Sequence, residues 1–331
     1  MFKKIILGLF ISLPVLGQTL KDQVVLFDTD KIKTTGVIVA NAHGIIGEYY
    51  ETPGREDRKF LLWSISKTVS ALIVGRAIQE GILKLEENVR GQVTVRSLLE
   101  MSSGLSWDES YEEAPFKSNV VRMLYGLEAF DMGQYVLSIP AKHKPGHRFK
   151  YSSGDSNLLQ WYLKKKMGLE YSVYPWKALF DPLDIRASFE RDGQGVFVAS
   201  SYVYMSLKDL LKVAQLILSK GNWGGVQLIS EDYITSMTTP TRASSERSRM
   251  RSDDLNYGFQ IWLNGLSGNG KLPLKDLPAG SIFMLGHHGQ IVGIFPDEQI
   301  IILRSASDRG RLDKNKFFKE ILVWAKKQRS L

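Results

Sequence analysis

Ser64-Ile65-Ser66-Lys67, followed by the apolar stretch Thr68 to Leu83, decides how the rest of the chain is read. Val69, Leu72, Ile73, Val74, Ala77 and Ile78 recur at helical spacing and predict a buried helix. Serine and lysine three residues apart share one helix face, so the amine is within reach of the hydroxyl and can take its proton. Ser-x-x-Lys occurs once in the chain. The apolar stretch Phe60-Leu61-Leu62 precedes it, and the helical run follows, which puts Ser64 at a helix entrance, where unpaired amides and the helix dipole stabilise an oxyanion. The bland alternative is that Ser64 is an N-cap and Lys67 a solvated first-turn residue.

A lysine works as a base only when neutral. Holding Lys67 so near neutral pH means lowering its pKa about three units, roughly 4 kcal/mol, by burial or a second cation. Such a site also calls for a proton-relaying Tyr or His. Tyr151-Ser152-Ser153-Gly154 follows the turn Pro145-Gly146 and precedes an apolar helix expected from Asp155, so its phenol is the first candidate. A buried core tyrosine is the competing reading. Gly286-His287-His288-Gly289-Gln290 heads an expected strand, Gly289 to Phe295, where His288 and Gly289 line a strand edge open to substrate and the Gln290 amide serves as a second oxyanion donor. Paired histidines raise zinc as an option, but five histidines with no His-x-x-x-His helix argue against a metal, and no other cofactor motif is present.

The chain has 331 residues, 44% hydrophobic and 24% charged, which is ordinary for a globular protein. Lys3 and Lys4, the apolar run Ile5 to Leu16, and Val15 with Gly17 read as a signal peptide, residues 1–17, cleaved after Gly17. About twelve apolar residues interrupted by Pro14 fall short of a bilayer span. The expected location is therefore periplasmic or secreted. The absence of cysteine removes disulfides, thiolate metal sites and lipid attachment at the signal junction. The net charge of +8 gathers at Lys142 to Lys150, Arg242 to Arg251 and the last helix. These clusters read as solvated surface with at most weak attraction to an anionic cell envelope, and no nucleic-acid motif accompanies them.

Thr35 to Ala40 and Ile45 to Glu51 read as a hairpin. Helical patterns fill the middle at Val93 to Met101, Phe130 to Ser138, Asp155 to Met167, Trp176 to Phe180 and Leu207 to Leu218, the last capped by Ser206. Thr238 to Asn256 and Gly265 to Ala279 read as the mobile loops. Strands return at Tyr257 to Trp262, Gly289 to Phe295 and Gln299 to Arg304, before an amphipathic helix, Asp313 to Arg329. Strands at both ends predict an α+β fold: one antiparallel sheet from the N- and C-terminal segments, flanked by helices, with an inserted helical lobe. Residues 18–331 form a single domain in this reading, with an α/β lobe at about 18–87 plus 255–331 and a helical lobe at about 88–254.

The three segments, in this order, resemble the serine hydrolase superfamily of penicillin-binding proteins and class C β-lactamases, which use Ser-x-x-Lys, then Tyr-x-Asn or Tyr-x-Ser, then Lys-Thr-Gly or His-x-Gly. Leu98 to Leu105 and Phe180-Asp181-Pro182-Leu183 resemble further family segments, with Asp184 where the family commonly has Gly. Trp107-Asp108-Glu109 and Phe197 to Met205 look nearest the 6-aminohexanoate-dimer hydrolase and carboxylesterase branch. The resemblance implies Ser64 as nucleophile, Lys67 as its base and Tyr151 as proton shuttle. It also implies Ser153 and His287 at substrate-binding and electrostatic positions, and the amides of Ser64 and Gln290 as oxyanion hole. Ser153 stands where lactamases carry Asn, and His287 replaces the lysine that meets a substrate carboxylate. Neutral imidazole binds a carboxylate poorly, so the expected substrate is a small ester or linear amide ahead of a β-lactam or D-alanyl peptide. A penicillin-binding-like fold retained as a non-catalytic envelope binder is the reading of another class.

Overall fold

Thr34–Asn41 (β1) and Gly44–Tyr50 (β2) form the expected hairpin in a computed structural model that describes residues 19–111, 117–245, 255–266 and 270–328. The expectations for residues 1–17 and for the middle of both long loops fall outside the described residues. Along β1, Val37 and Val39 point into one apolar cluster and Ile38 and Ala40 into another, the period-two alternation of a strand covered on both faces. Five C-terminal strands complete the sheet: Asn256–Tyr257 (β3), Trp262–Leu263 (β4), Ile282–Leu285 (β5), Ile291–Phe295 (β6) and Ile300–Ala306 (β7). All pair antiparallel in the order β3-β4-β5-β6-β7-β1-β2, with Val37 opposite Arg304 and Val39 opposite Ile302. The two ends of the chain thus meet at the β7–β1 seam.

Helices Leu20–Val25 (α1) and Lys314–Gln328 (α5) cover the outer face, where Phe317, Phe318 and Ile321 meet Val39, Phe283 and Ile302. The inner face meets Ile65–Gln79 (α2) and Leu207–Leu218 (α4). The α4 bounds are those the sequence predicts, with Ser206 Oγ accepting from the Asp209 N–H at 3.1 Å. This helix lies inside the stretch assigned to the helical lobe, yet it packs on β1 and β7 of the sheet because its apolar stripe belongs to the shared core. The rest of the middle is helical around Ser153–Met167 (α3), which packs on α2 and on the short helices Val95–Leu99 and Met132–Ser138.

Three expectations need correction. Helix α2 starts at Ile65, directly after Ser64 at its entrance, but ends at Gln79, short of Leu83, because Gly81 turns the chain with φ 75°. The run Tyr257 to Trp262 is two strands joined by a tight turn: Gly258 N–H donates to Ile261 O at 2.9 Å and Gln260 adopts φ 57°. Gly286 to Gln290 is a turn between β5 and β6, not the start of a strand, and His287–Gly289 form one 3₁₀ turn. The described part of the second long loop is tied down. Asn264 Nδ2 donates to Leu274 O and Pro278 O, each at 3.1 Å, and Asn264 Oδ1 accepts from the Leu274 N–H at 3.0 Å.

Candidate active site

Ser64 follows Trp63, whose backbone has φ 50°. That left-handed residue turns the short strand Phe60–Leu61 into α2, and its ring is held by edge contacts with His287 and His288, each at 5.5 Å between centroids. Ser64 occupies the N-cap position of α2, but its side chain makes no capping bond. Instead Lys67 Nζ lies 3.1 Å from Ser64 Oγ and donates to Ser200 O at 2.9 Å. Lys67 is 1% exposed, not solvated. Burial pulls its amine down to about 8, against the opposing charge of Glu109. Its position in the first turn of α2, at the positive end of the dipole, works in the same direction. Ser200 is itself placed by α3, its N–H donating to Asn157 Oδ1 at 2.9 Å. Among the described residues the Ser64 N–H has no partner and is open to an oxyanion.

Tyr151 immediately precedes the N-cap of α3, Ser152, whose hydroxyl accepts from the Asp155 N–H at 3.0 Å. The helix begins at Ser153, two residues before the expected start. The Tyr151 ring lies 4.9 Å from Lys67 Nζ, stacks on Trp262 at 5.4 Å and meets Tyr257 edge-on at 6.0 Å. Burial and the Glu109 charge raise its phenol well above the ordinary value, while a hydrogen bond with Ser64 opposes them. The hydroxyl, the amine and the phenol, drawn from segments over eighty residues apart, therefore meet at one point.

Other predicted residues behave differently. Ser153 is fully buried and turned to Glu109: its N–H donates to Oε2 at 2.8 Å and its hydroxyl to Oε1 at 2.5 Å. It anchors a carboxylate and does not line the pocket. The Gln290 carboxamide is spent on β7, donating to Ala306 O at 2.6 Å and accepting from the Ala306 N–H at 3.1 Å. The Gln290 N–H closes the 3₁₀ turn on His287 O at 3.4 Å, and Gln290 does not line the pocket that holds Ser64. Gly289 packs against the buried pair Arg304–Asp308, where a Cβ would fall 2.1 Å from Asp308 Oδ2. Both His287 and His288 line the pocket, with His288 Nδ1 3.0 Å from Asp308 O.

The resulting pocket holds about 450 Å³. Beyond Ser64, Tyr151 and the histidines, its walls are Trp63, Tyr111, Tyr125, Trp262, Leu285 and Gly286, with Glu109 as the single carboxylate among the described residues. A larger cleft of about 730 Å³ shares Trp63 and His288 but does not reach Ser64. Glu109 and Tyr111 were not singled out from the sequence as site residues. The signal was there: Trp107, Glu109 and Tyr111 alternate in the segment after the Ser-Gly-Leu turn. Trp107 points inward, donating from Nε1 to Glu109 Oε2 at 2.5 Å.

Residues 26–317 match the beta-lactamase family model. A 6-aminohexanoate-dimer hydrolase of Paenarthrobacter ureafaciens is 22% identical over 302 residues, 83% of this chain and 72% of that protein. Among solved structures, a provisionally named 6-aminohexanoate-dimer hydrolase from Bacillus anthracis superposes with a TM-score of 0.73 at 16% identity, covering 94% of this chain and 82% of that one. EstCE1, a hydrolase with promiscuous acyltransferase activity, gives 0.70 at 16% identity, with 88% and 93% covered. The α+β architecture and the family motifs point the same way, and a family match spanning almost all of the described residues makes the conclusion plain: the chain belongs to the beta-lactamase family of serine hydrolases.

Proposed function

We propose that this protein hydrolyses a small ester or linear amide through an acyl-enzyme on Ser64. The observation that carries the reading is the buried Lys67 amine, 3.1 Å from Ser64 Oγ and brought down to about 8, where a usable fraction is neutral at physiological pH. Ser64 Oγ attacks the substrate carbonyl carbon while its proton passes to Lys67 Nζ, and the oxyanion meets the Ser64 N–H. As the bond to the leaving group breaks, Tyr151 gives the departing oxygen or nitrogen its proton and is reprotonated from Lys67. Water then attacks the Ser64 ester, its proton returning through Tyr151 and Lys67 to Ser64 Oγ, and the acid leaves.

A preference against anionic substrates follows from the walls of the pocket. Among the described residues no Lys or Arg lines it, and Glu109 repels the carboxylate that β-lactams and D-alanyl peptides carry. With residues 1–17 as a cleaved leader, the enzyme would work in the periplasm or outside the cell.

A fluorophosphonate probe with intact mass tests the reading, alongside turnover of p-nitrophenyl esters, a linear amide oligomer, nitrocefin and a D-alanyl dipeptide. The expected result is one covalent addition, absent in Ser64→Ala, and turnover of the esters or the amide. Absence of addition with every acylating reagent would mean a non-catalytic binder.

A further inference from the structure

The pocket beside Ser64 has an unusual composition for a site meant to receive a neutral chain. Its aromatic faces form two coupled groups. Trp63 and Tyr111 meet across His287, at 5.5 and 6.2 Å from its ring, and Tyr151 stacks on Trp262 at 5.4 Å. Tyr125, 58% exposed, stands at the rim. Among the described residues the fold delivers one carboxylate to this aromatic pocket, Glu109, fixed by three neutral donors: Trp107 Nε1 at 2.5 Å, the Ser153 N–H at 2.8 Å and the Ser153 hydroxyl at 2.5 Å. Among the described residues Glu109 makes no ion pair. Its charge acts on Lys67, and Lys67 must be neutral to take the Ser64 proton. In the reactive state the described lining of the pocket therefore holds a carboxylate and no cationic side chain, among aromatic rings.

A carboxylate so held, with electron-rich ring faces around it, is the environment that recognises a quaternary or primary ammonium group. We infer that the substrate is cationic: an ester or amide bearing an ammonium group that sits among Trp63, Tyr111 and Trp262 and balances Glu109. This rests on the acyl-enzyme reading above and deepens it. It also supplies a reason for the lysine chemistry. A bound ammonium group is a second cation near Lys67 and disfavours its protonated form, so the substrate itself completes the deprotonation that burial begins.

Direct binding to the wild-type protein tests the inference independently of turnover. Choline and the alcohol in which carbon replaces its nitrogen have the same shape, and tryptophan fluorescence from Trp63 and Trp262 reports both. Choline is expected to bind at least about tenfold more tightly. Butyrylcholine and its neutral tert-butyl isostere are expected to differ in kcat/KM by about tenfold or more in the same direction, and Glu109→Gln to reduce both preferences severalfold. Equal binding of the two alcohols to the wild-type protein would overturn the inference, whether or not the Glu109→Gln variant folds. The two readings fail separately: a protein labelled at Ser64 but indifferent to charge sinks the cationic substrate alone. A protein that prefers choline yet takes no acyl label sinks the acyl-enzyme and leaves the cation site standing.

Discussion

Lys67 shows most directly how one residue trades stability for chemistry. An amine that titrates near 10.5 in the unfolded chain and at about 8 when buried costs the fold about 3 kcal/mol wherever it is protonated in both states. The folded pKa is the lower one, so between about 8 and 10.5 the unfolded chain holds more protons and stability rises with pH; below about 8 the full cost remains. Lys67→Met removes the titration and leaves Ser200 O without its donor, a loss of about 1 kcal/mol. Urea melts should therefore find Lys67→Met more stable than wild type by about 2 kcal/mol near pH 6, with the gap closing as the pH approaches 10, while turnover falls by orders of magnitude. A gap that is the same at both pH values would mean that Lys67 titrates normally. In the wild-type enzyme kcat/KM with a neutral ester should climb with pH through about 8 and level off as the amine loses its proton.

Among the elements, the turn between β3 and β4 carries more than its length suggests. Read along the chain, Tyr257 to Trp262 is a single β-rich run, and nothing local announces a reversal at Gln260. The reversal exists because Gln260 is claimed from outside its own strands. Its Nε2 donates to Leu98 O at 2.9 Å, its Oε1 accepts from Ser156 Oγ at 2.6 Å, and its backbone O accepts from Thr68 Oγ1 at 2.7 Å. These bonds join the turn to the helix Val95–Leu99, to α3 and to α2. The turn also sets Trp262 under Tyr151. Gln260→Ala strands the Ser156 hydroxyl in the core and leaves Leu98 O with the Met101 N–H alone, at 3.2 Å, and should cost about 2 kcal/mol, read as a lower denaturant midpoint at unchanged slope. Strand β5 escaped the sequence reading for a related reason. Ile282-Phe283-Met284-Leu285 is short and apolar throughout, since both faces are covered, so it lacks the alternation that marks a half-exposed strand.

At the scale of the whole molecule, the two ends of the chain are locked together beside the site by a buried ion pair. Arg304 on β7 is 1% exposed and reaches Asp308 at 2.8 and 2.9 Å, Gly289 O at 3.0 Å and Thr34 Oγ1 at 2.9 Å, while Asp308 Oδ1 accepts from the Lys33 N–H at 2.8 Å. One cluster thus fastens the start of β1, the end of β7 and the turn that carries His287 and His288. Arg304→Met leaves Asp308 buried without a counter-charge and should cost about 3–5 kcal/mol; adding Asp308→Asn should recover part of it, measured by thermal and urea unfolding. If the single change costs under about 1 kcal/mol, the pair is not structural.

The features legible along the chain were those set by neighbours a few residues apart. The Ser64–Lys67 spacing, the Ser206 cap with the bounds of α4, and the β1–β2 hairpin all depend on interactions within one or two turns, which a linear pattern records. The make-up of the pocket is of another kind. Ser153 is taken by Glu109 across 44 residues, Gln290 by Ala306 across 16, and Lys67 by Ser200 across 133. Each polar group had several candidate partners, and burial forced a choice among them, because an unpaired donor or acceptor in the core costs more than any local preference supplies. Residue order thus marks which side chains can react, and three-dimensional packing selects which of them remain free to do so.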